Sequence, residues 1–332
     1  MTHAFPSVKR DDLIRLCGCA DMRYSLRQLE VFLAVARVGS VSGAGEALAM
    51  SQSAVSGALG DLERQFGRQL FDRIGKRLRL SELGQSVRAQ AEGVLDRASE
   101  REAAFEGRAA VGRLRIGATL TIGNHLVAPL MARFMRENDG AELTLGVANT
   151  EEIARRVSNF HIDVGMVEGE IQHPDLEVIR WREDELVVFC APGHPYAKKR
   201  ALTDTDLRAA RWIVREHGSG TRQTFDRAMH GLLADLEIVL ALEHTEAIRG
   251  AVAAGLGIGC VSRIALQEAF EHGTLMPCRV PHRDFRRAFY LLLNKHKYRG
   301  RGLALWLALC HEAPFGRSPE GKSVKPIARR RT

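Results

Sequence analysis

What is missing from this chain narrows it before any motif is considered. No stretch approaches the roughly 20 apolar residues of a membrane span. Residues 1–21 carry Asp11, Asp12 and Arg15 and no long apolar run, so a secretory signal is excluded there. Cys17 and Cys19 form only a Cys-x-Cys pair, with no companions at zinc spacing. Cys190, Cys260, Cys278 and Cys310 are scattered and read as buried thiols in a reducing compartment, with a redox sensor as the alternative. His194, His244 and His296 stand alone. No Walker sequence occurs, and Gly255-x-Gly257-x-Gly259 follows a helical run and precedes a strand, the wrong order for a dinucleotide loop. No cofactor, metal site or catalytic set is therefore expected, and the chain reads as cytoplasmic and not an enzyme.

The charge is uneven. The chain has 332 residues and a formal charge of +8, yet the excess is local. Arg64, Arg68, Arg73, Lys76, Arg77 and Arg79 face one acid, Asp72, a surplus of five. Residues 313–332 hold Arg317, Lys322, Lys325, Arg329, Arg330 and Arg331 against Glu320, another surplus of five. Everything else is slightly acidic. That tail reads as disordered, adding weak salt-sensitive affinity for nucleic acid or nothing.

Two short helices and a tight turn stand near the start. Leu29, Phe32, Leu33 and Ala36 recur at helical spacing and end near Gly39. Ser40 suits the N-cap of a second helix with Val41, Ala44 and Leu48 inside. Ala49 and Met50 turn the chain. Ser51 suits the cap of a third helix with Val55, Leu59, Leu62 and Phe66 inside, leaving Gln52, Ser53, Ser56 and Gly57 outward. Such a helix fits a major groove, where Gln pairs with adenine and Ser with several bases. The same spacing also fits a plain three-helix bundle with a polar outer face. Phe71-Asp72-Arg73 leading into Ile74, a Gly75-Lys76-Arg77 turn and the alternating Leu78-Arg79-Leu80 read as a wing, with Arg64, Arg73, Lys76 and Arg77 placed for phosphates.

These motifs, from Leu26-Arg27-Gln28-Leu29-Glu30-Val31-Phe32 through Ser51–Ser56, Leu70-Phe71-Asp72-Arg73 and Leu80-Ser81-Glu82-Leu83-Gly84, resemble the N-terminal domain of LysR-type transcriptional regulators. The resemblance spans about Met22 to Arg101, and the remaining chain fits that family's effector domain more loosely. Ser53 stands where the family often has proline. Gly45, Gly57 and Gly60 replace better helix formers. The resemblance implies a winged helix-turn-helix and an α/β effector domain similar to type II periplasmic binding proteins. It also implies double-stranded DNA, a small effector and the transcription machinery as partners, with a homodimer or homotetramer as the assembly.

The expected domains are a disordered extension, 1–21, with Met22 as the native start; a winged domain, 22–81; a linker helix, 82–107; a hinge, 108–113; an effector domain, 114–312; and the basic tail, 313–332. Along the linker, Val87, Ala91, Val94, Ala98, Arg101 and Phe105 alternate by fours and threes, a coiled-coil seam. Val87, Ala91, Val94, Ala98 and Phe105 are the expected dimer contacts. The alternative is packing against the chain's own core.

Beyond Leu114, short apolar runs alternate with helices, as in parallel sheets with helices on their faces. Two lobes are expected, about 114–184 with 279–312, and about 185–278, with a ligand cleft between them. Helices open there with hydroxyls: Thr119 and Thr121 before a helix at Ile122, Thr150 as a cap, Gly218-Ser219-Gly220-Thr221, and Thr245 with Glu246. Free N–H groups at helix starts attract anions, although plain capping accounts for any single threonine. The loop at Gly218 is similar to one in relatives that sense small anions, and Arg222 would add donors if it faced inward. The expected effector contacts are Thr119, Thr121, Thr150, Gly218, Ser219, Gly220, Thr221 and Glu246. An enzyme on the same fold would need a charged set in the cleft, such as an Asp paired with Arg, and none is evident from the sequence. A ligand-independent DNA binder is the other alternative.

Overall fold

The computed structural model describes residues 22–75, 77–105 and 111–312. The extension with Cys17 and Cys19, Lys76, part of the hinge and the basic tail lie outside the described residues.

Three helices form first: α1 (Leu26–Val38), α2 (Val41–Leu48) and α3 (Gln52–Phe66). Each starts on a serine whose side chain accepts a backbone N–H: Ser25 from Gln28, Ser40 from Gly43 and Ser51 from Ala54. Each such cap is worth about 1 kcal/mol. Val31, Phe32, Val35, Ala44, Val55, Leu59 and Leu62 are buried as one core. Phe66 departs from expectation: it is 50% exposed and tilts against Tyr24 instead of entering that core. The wing pairs β1 (Phe71–Ile74) with β2 (Arg77–Leu80), Ile74 opposite Arg77, and Gly75, just after β1, takes φ +62°.

The linker helix α4 (Glu82–Phe105) follows directly. It is tied on one side to the winged domain and on the other to the effector domain. Arg37 of α1 places one guanidinium nitrogen 2.8 Å from each oxygen of buried Glu92. Lys297 lies 2.7 Å from Asp96 of the linker and 3.0 Å from Asp163 of the effector domain. Arg115 binds the same Asp163 at 2.8 Å. Arg88 stacks over Phe160 and donates to the Asn159 carbonyl. Burial alone would raise the Asp163 carboxyl, but the Arg115 hydrogen bonds and the Lys297 charge outweigh it and bring it to about 2.

The effector domain is built on one continuous sheet in the order β4-β3-β5-β11-β6-β9-β7-β8, with a short strand, β10 (Met276–Cys278), beside β6. In its first half, β3 (Arg113–Ala118) lies parallel to both β4 (Glu142–Val147) and β5 (Val164–Glu168). In the second, β7 (Arg211–Arg215) lies parallel to β8 (Glu237–Leu242) and β9 (Ile258–Ser262). Two long antiparallel strands join the halves: β6 (Leu176–Cys190) and β11 (Arg286–Asn294), with a bulge at Phe289/Tyr290.

Helix α5 runs from Leu120–Ile122 through a wider π turn, Gly123–Val127, into Ala128–Glu137, so it begins two residues before the expected Ile122. It covers one face of the first half together with the C-terminal helix α11 (Arg301–Glu312), while α6 (Thr150–Ser158) covers the other. On the second half, α8 (Gly220–Ala228) packs on one face and α9 (Thr245–Ala253) with α10 (Arg263–Glu271) on the other. A short helix, α7 (Asp204–Ala209), sits between β6 and β7. Val280 and Phe285, expected with the first lobe, pack in the core of the second. Cys190, Cys260, Cys278 and Cys310 are free and buried.

His161 sits beside the linker junction. Burial, then the charges of Arg88, Arg155, Arg37 and Arg115, push its imidazole from 6.5 down to about 4. Between those values the unfolded chain binds the extra proton, so stability falls as pH drops. Replacing His161→Gln should flatten the dependence of the urea midpoint on pH across that window. An unchanged slope would assign the acid sensitivity to other groups.

Candidate DNA-reading face and effector cleft

The outer face of α3 is open. Ser51, Gln52, Ser53, Ser56 and Gly57 are all exposed at its N-terminal end, and none of the described residues covers them. Ser53 holds its hydroxyl 3.0 Å from that of Ser51, a tie that proline could not make. The three glycines differ. A Cβ on Gly45 would lie 2.7 Å from the Met50 carbonyl, so the helix-to-turn approach requires it; Cβ atoms on Gly57 and Gly60 would meet nothing within 4 Å.

The wing's cations are available. Among the described residues, Arg73, Arg77 and Arg79 are exposed and make no ion pair. Arg64 differs: it bonds Asp61 and the Gly60 carbonyl on its own helix. It also lies 12 residues, about 18 Å of helix, from Gln52. Lys76 lies outside the described residues.

The cleft forms where the two halves of the sheet meet at the carboxyl ends of their parallel strands, where α/β sheets commonly hold ligands. One hydroxyl bridges the halves. Thr150 donates to the Glu168 carbonyl at 2.8 Å and accepts from the Gly220 N–H at 3.2 Å. It is not the helix cap expected of it; Asn149 fills that role by accepting from Glu152. The approach at Gly220 is tight, since a Cβ there would sit 1.8 Å from the Glu168 carbonyl oxygen. Gly218 takes φ +81° beside Glu151. Ser219 caps α8 by accepting from the Thr221 N–H, and the Thr221 hydroxyl accepts from Arg287 at 2.9 Å. Arg222 is spent elsewhere, on Asp226 and the Arg215 carbonyl. Glu246 is exposed and holds Arg249 at 2.9 Å. His125 of the first half feels both Glu246 and Arg249, although burial is the largest effect and lowers its pKa.

Thr119 is the unusual member. It is buried, makes no cap bond and leaves its hydroxyl without a partner. Glu168 Oε2 and Arg287 Nη2 are likewise buried and unpartnered. Three of the six such side-chain atoms among the described residues therefore belong to this junction. Burial raises the Glu168 pKa, against the lowering effect of Arg287, Arg215 and a hydrogen bond from Thr121.

The structure also supplies the charged set that the sequence conceals. Arg287 binds Asp184 at 2.7 Å, and Asp184 accepts from Ser262 at 2.8 Å. These residues come together because Arg287 on β11 lies opposite Asp184 on β6. The available sequence signal is a charge that ends or interrupts an apolar strand: Glu168 after Val164–Val167, and Arg287 just before Ala288–Leu293.

The linker's apolar face is divided. Ala91 is buried against the winged domain's core, with Val87 packed on it. Val94 is partly exposed, Ala98 half-buried and Phe105 91% exposed. Val87, Ala91 and Val94 also line an apolar groove of ≈ 670 Å³ with Tyr24, Phe32, Leu62 and Phe66. No helix among the described residues is long and apolar enough to cross a membrane.

A winged helix-turn-helix joined by a long helix to a two-lobed α/β domain defines a ligand-responsive DNA-binding regulator. Residues 26–85 match the bacterial regulatory helix-turn-helix protein of the lysR family, and residues 107–314 match the LysR substrate binding domain. The chain is 40% identical over 292 residues to an uncharacterized HTH-type transcriptional regulator, YeiE, of Escherichia coli K12, covering 88% of this chain and 99% of that one. A full-length OxyR of Pseudomonas aeruginosa, solved as a point variant, superposes with a TM-score of 0.66 at 20% identity, over 88% of this chain and 99% of that one. The regulatory domain of CcmR from Synechocystis PCC6803, solved with 2-PG, gives a TM-score of 0.56 at 28% identity, over 60% and 96%. The chain belongs to the LysR family of transcriptional regulators.

The contrast between the glycines is measurable. Gly57→Ala should raise unfolding stability by about 1 kcal/mol through helix propensity alone, whereas Gly45→Ala should lower it. Equal effects at both positions would contradict the tight approach at Gly45.

Proposed function

We propose that this regulator reads DNA through Ser51, Gln52, Ser53, Ser56 and Gly57, and grips phosphates through the wing cations Arg73, Lys76 and Arg77. Exposure of the first five on the outer face of a helix whose inner face is core supports this reading. Arg64 is a weaker candidate because its guanidinium is already paired. Arg77→Ala should weaken binding to every sequence and lower the salt slope by about 1. Gln52→Ala should relax base preference at one position by about 1–3 kcal/mol. Electrophoretic shifts at several salt concentrations measure both. Unaltered nonspecific affinity and slope in the Arg77 variant would remove the wing from the interface.

The second part of the proposal is that a small anionic ligand held between the lobes modulates this binding by a population shift between lobe arrangements. The observation that carries it is the buried, unpartnered Thr119 hydroxyl beside the Thr150 bridge. An unmade buried hydrogen bond costs about 1–3 kcal/mol, which a ligand oxygen would recover. Thr121, Gly218, Ser219, Gly220 and Thr221 complete the site, and Glu246 stands at its rim. CcmR, solved with 2-PG, supports an anion of this size. The protein works as a homodimer, or a tetramer built from two, with exposed Val94 meeting a second copy at the apolar groove, while Ala91 and Val87 are occupied by the chain's own winged domain. Ala98 and Phe105 extend that contact. It acts in the cytoplasm on the transcription machinery.

A regulator is favoured over an enzyme because Asp184, the carboxylate of the charged set, is committed to Arg287 and Ser262. Thr119→Val keeps the side chain's shape and breaks no bond within the protein. In calorimetry with a panel of small acids it should weaken the bound member about tenfold and blunt its effect on operator footprints, leaving ligand-free DNA affinity unchanged. Footprints that ignore the whole panel would favour the ligand-independent regulator.

A further inference from the structure

The effector cleft is not simply positive. Arg287 already donates to Asp184 and Thr221, and Arg215 is bound to Glu216 at 2.7 Å. Glu168 sits among them, 1% exposed. Its Oε1 is 3.7 Å from Arg287 Nη2, beyond hydrogen-bond range, and its Oε2 has no partner. The two arginines are thus matched by Glu168, Asp184 and Glu216, leaving no surplus of positive charge for a fully ionised anion.

The hydrogen-bond inventory points elsewhere. Arg287 Nη2 can only donate. An ionised carboxylate can only accept. An oxygen placed between them must therefore accept from the guanidinium and bring a hydrogen for the carboxylate. An oxyanion stripped of hydrogens meets the first demand and fails the second. Strand pairing sets the third group alongside: the Thr119 N–H donates to the Met166 carbonyl, two residues before Glu168.

We propose that the cleft selects a small oxyanion that retains a hydrogen on one oxygen. That hydrogen is shared with Glu168, while the remaining oxygens accept from Arg287 and Thr119. The proposal rests on the cleft reading given above and adds a ligand class to it. Selection arises from repulsion as much as attraction, since a lone pair aimed at the buried carboxylate is rejected.

Inorganic phosphate and sulfate provide matched probes, because they share size and shape and only phosphate carries a hydrogen at pH 7.5. The full chain should bind phosphate at least tenfold more tightly than sulfate in calorimetry at that pH. Glu168→Gln supplies an N–H where the carboxylate stood, so sulfate should gain and the ratio should fall by about tenfold. Operator binding by the variant reports that it has folded. The wild-type ratio stands as a test without any variant. Equal binding of the two anions, an unchanged ratio in the variant, or no binding of either would overturn the proposal. The small-acid panel keeps the two ideas apart. A Thr119-dependent response to some acid, without the phosphate preference, leaves the cleft in place and removes only the shared hydrogen.

Discussion

Asp163 is the point at which the chain's separate parts become one object. Its carboxylate, buried just before β5, receives Arg115 from β3 and Lys297 from the loop before α11, and Lys297 reaches on to Asp96 of the linker helix. Glu92, one turn away, binds Arg37 of the winged domain. Apolar surface alone would let a long helix slide or roll against its neighbours. Charges at fixed positions do not, because each displaced partner would remain buried and unpaired. The ion network contributes register more than net stability. It ties the first lobe to the DNA-binding end through a helix of 24 residues.

Much of the N-terminal half was legible because its determinants are local. Ser40 and Ser51 cap the helices they precede, Gly75 turns the wing, and Val55, Leu59 and Leu62 fall at helical spacing. The glycines in α2 and α3 looked alike in one dimension. Only the fold separates Gly45, pressed against a carbonyl, from Gly57 and Gly60, which touch nothing. Phe66 shows the opposite failure. Its spacing says core, but the helix end carries it past the edge of the core into a groove.

The cleft was half visible. Hydroxyls at helix starts marked loops that meet at the junction of the lobes, yet the sequence could not tell a cap from a bridge. Asn149 and Thr150 are adjacent and both suited to capping; the fold assigns the cap to one and the lobe contact to the other. The charged floor was hidden because Asp184 and Arg287 are 103 positions apart. The strand of Asp184, β6, also begins well before the apolar run Leu186–Cys190, since its first half alternates with charge. The linker posed a similar difficulty. A heptad pattern identifies an apolar seam but not whether a partner or the same chain covers it, and Ala91 is covered by its own winged domain.

The two long strands that join the lobes also carry Arg287 and Asp184 opposite each other. Any relative rotation of the lobes has its axis near this pair, where the lever arm is shortest. Groups on an axis hardly shift, so the bond between Arg287 and Asp184 is kept through such a rotation. Preference for one arrangement has to come from contacts that cross between the lobes, such as the bond from the Gly220 N–H to the Thr150 hydroxyl. The joint and the contacts that sense its angle are thereby different sets of atoms, although they lie side by side.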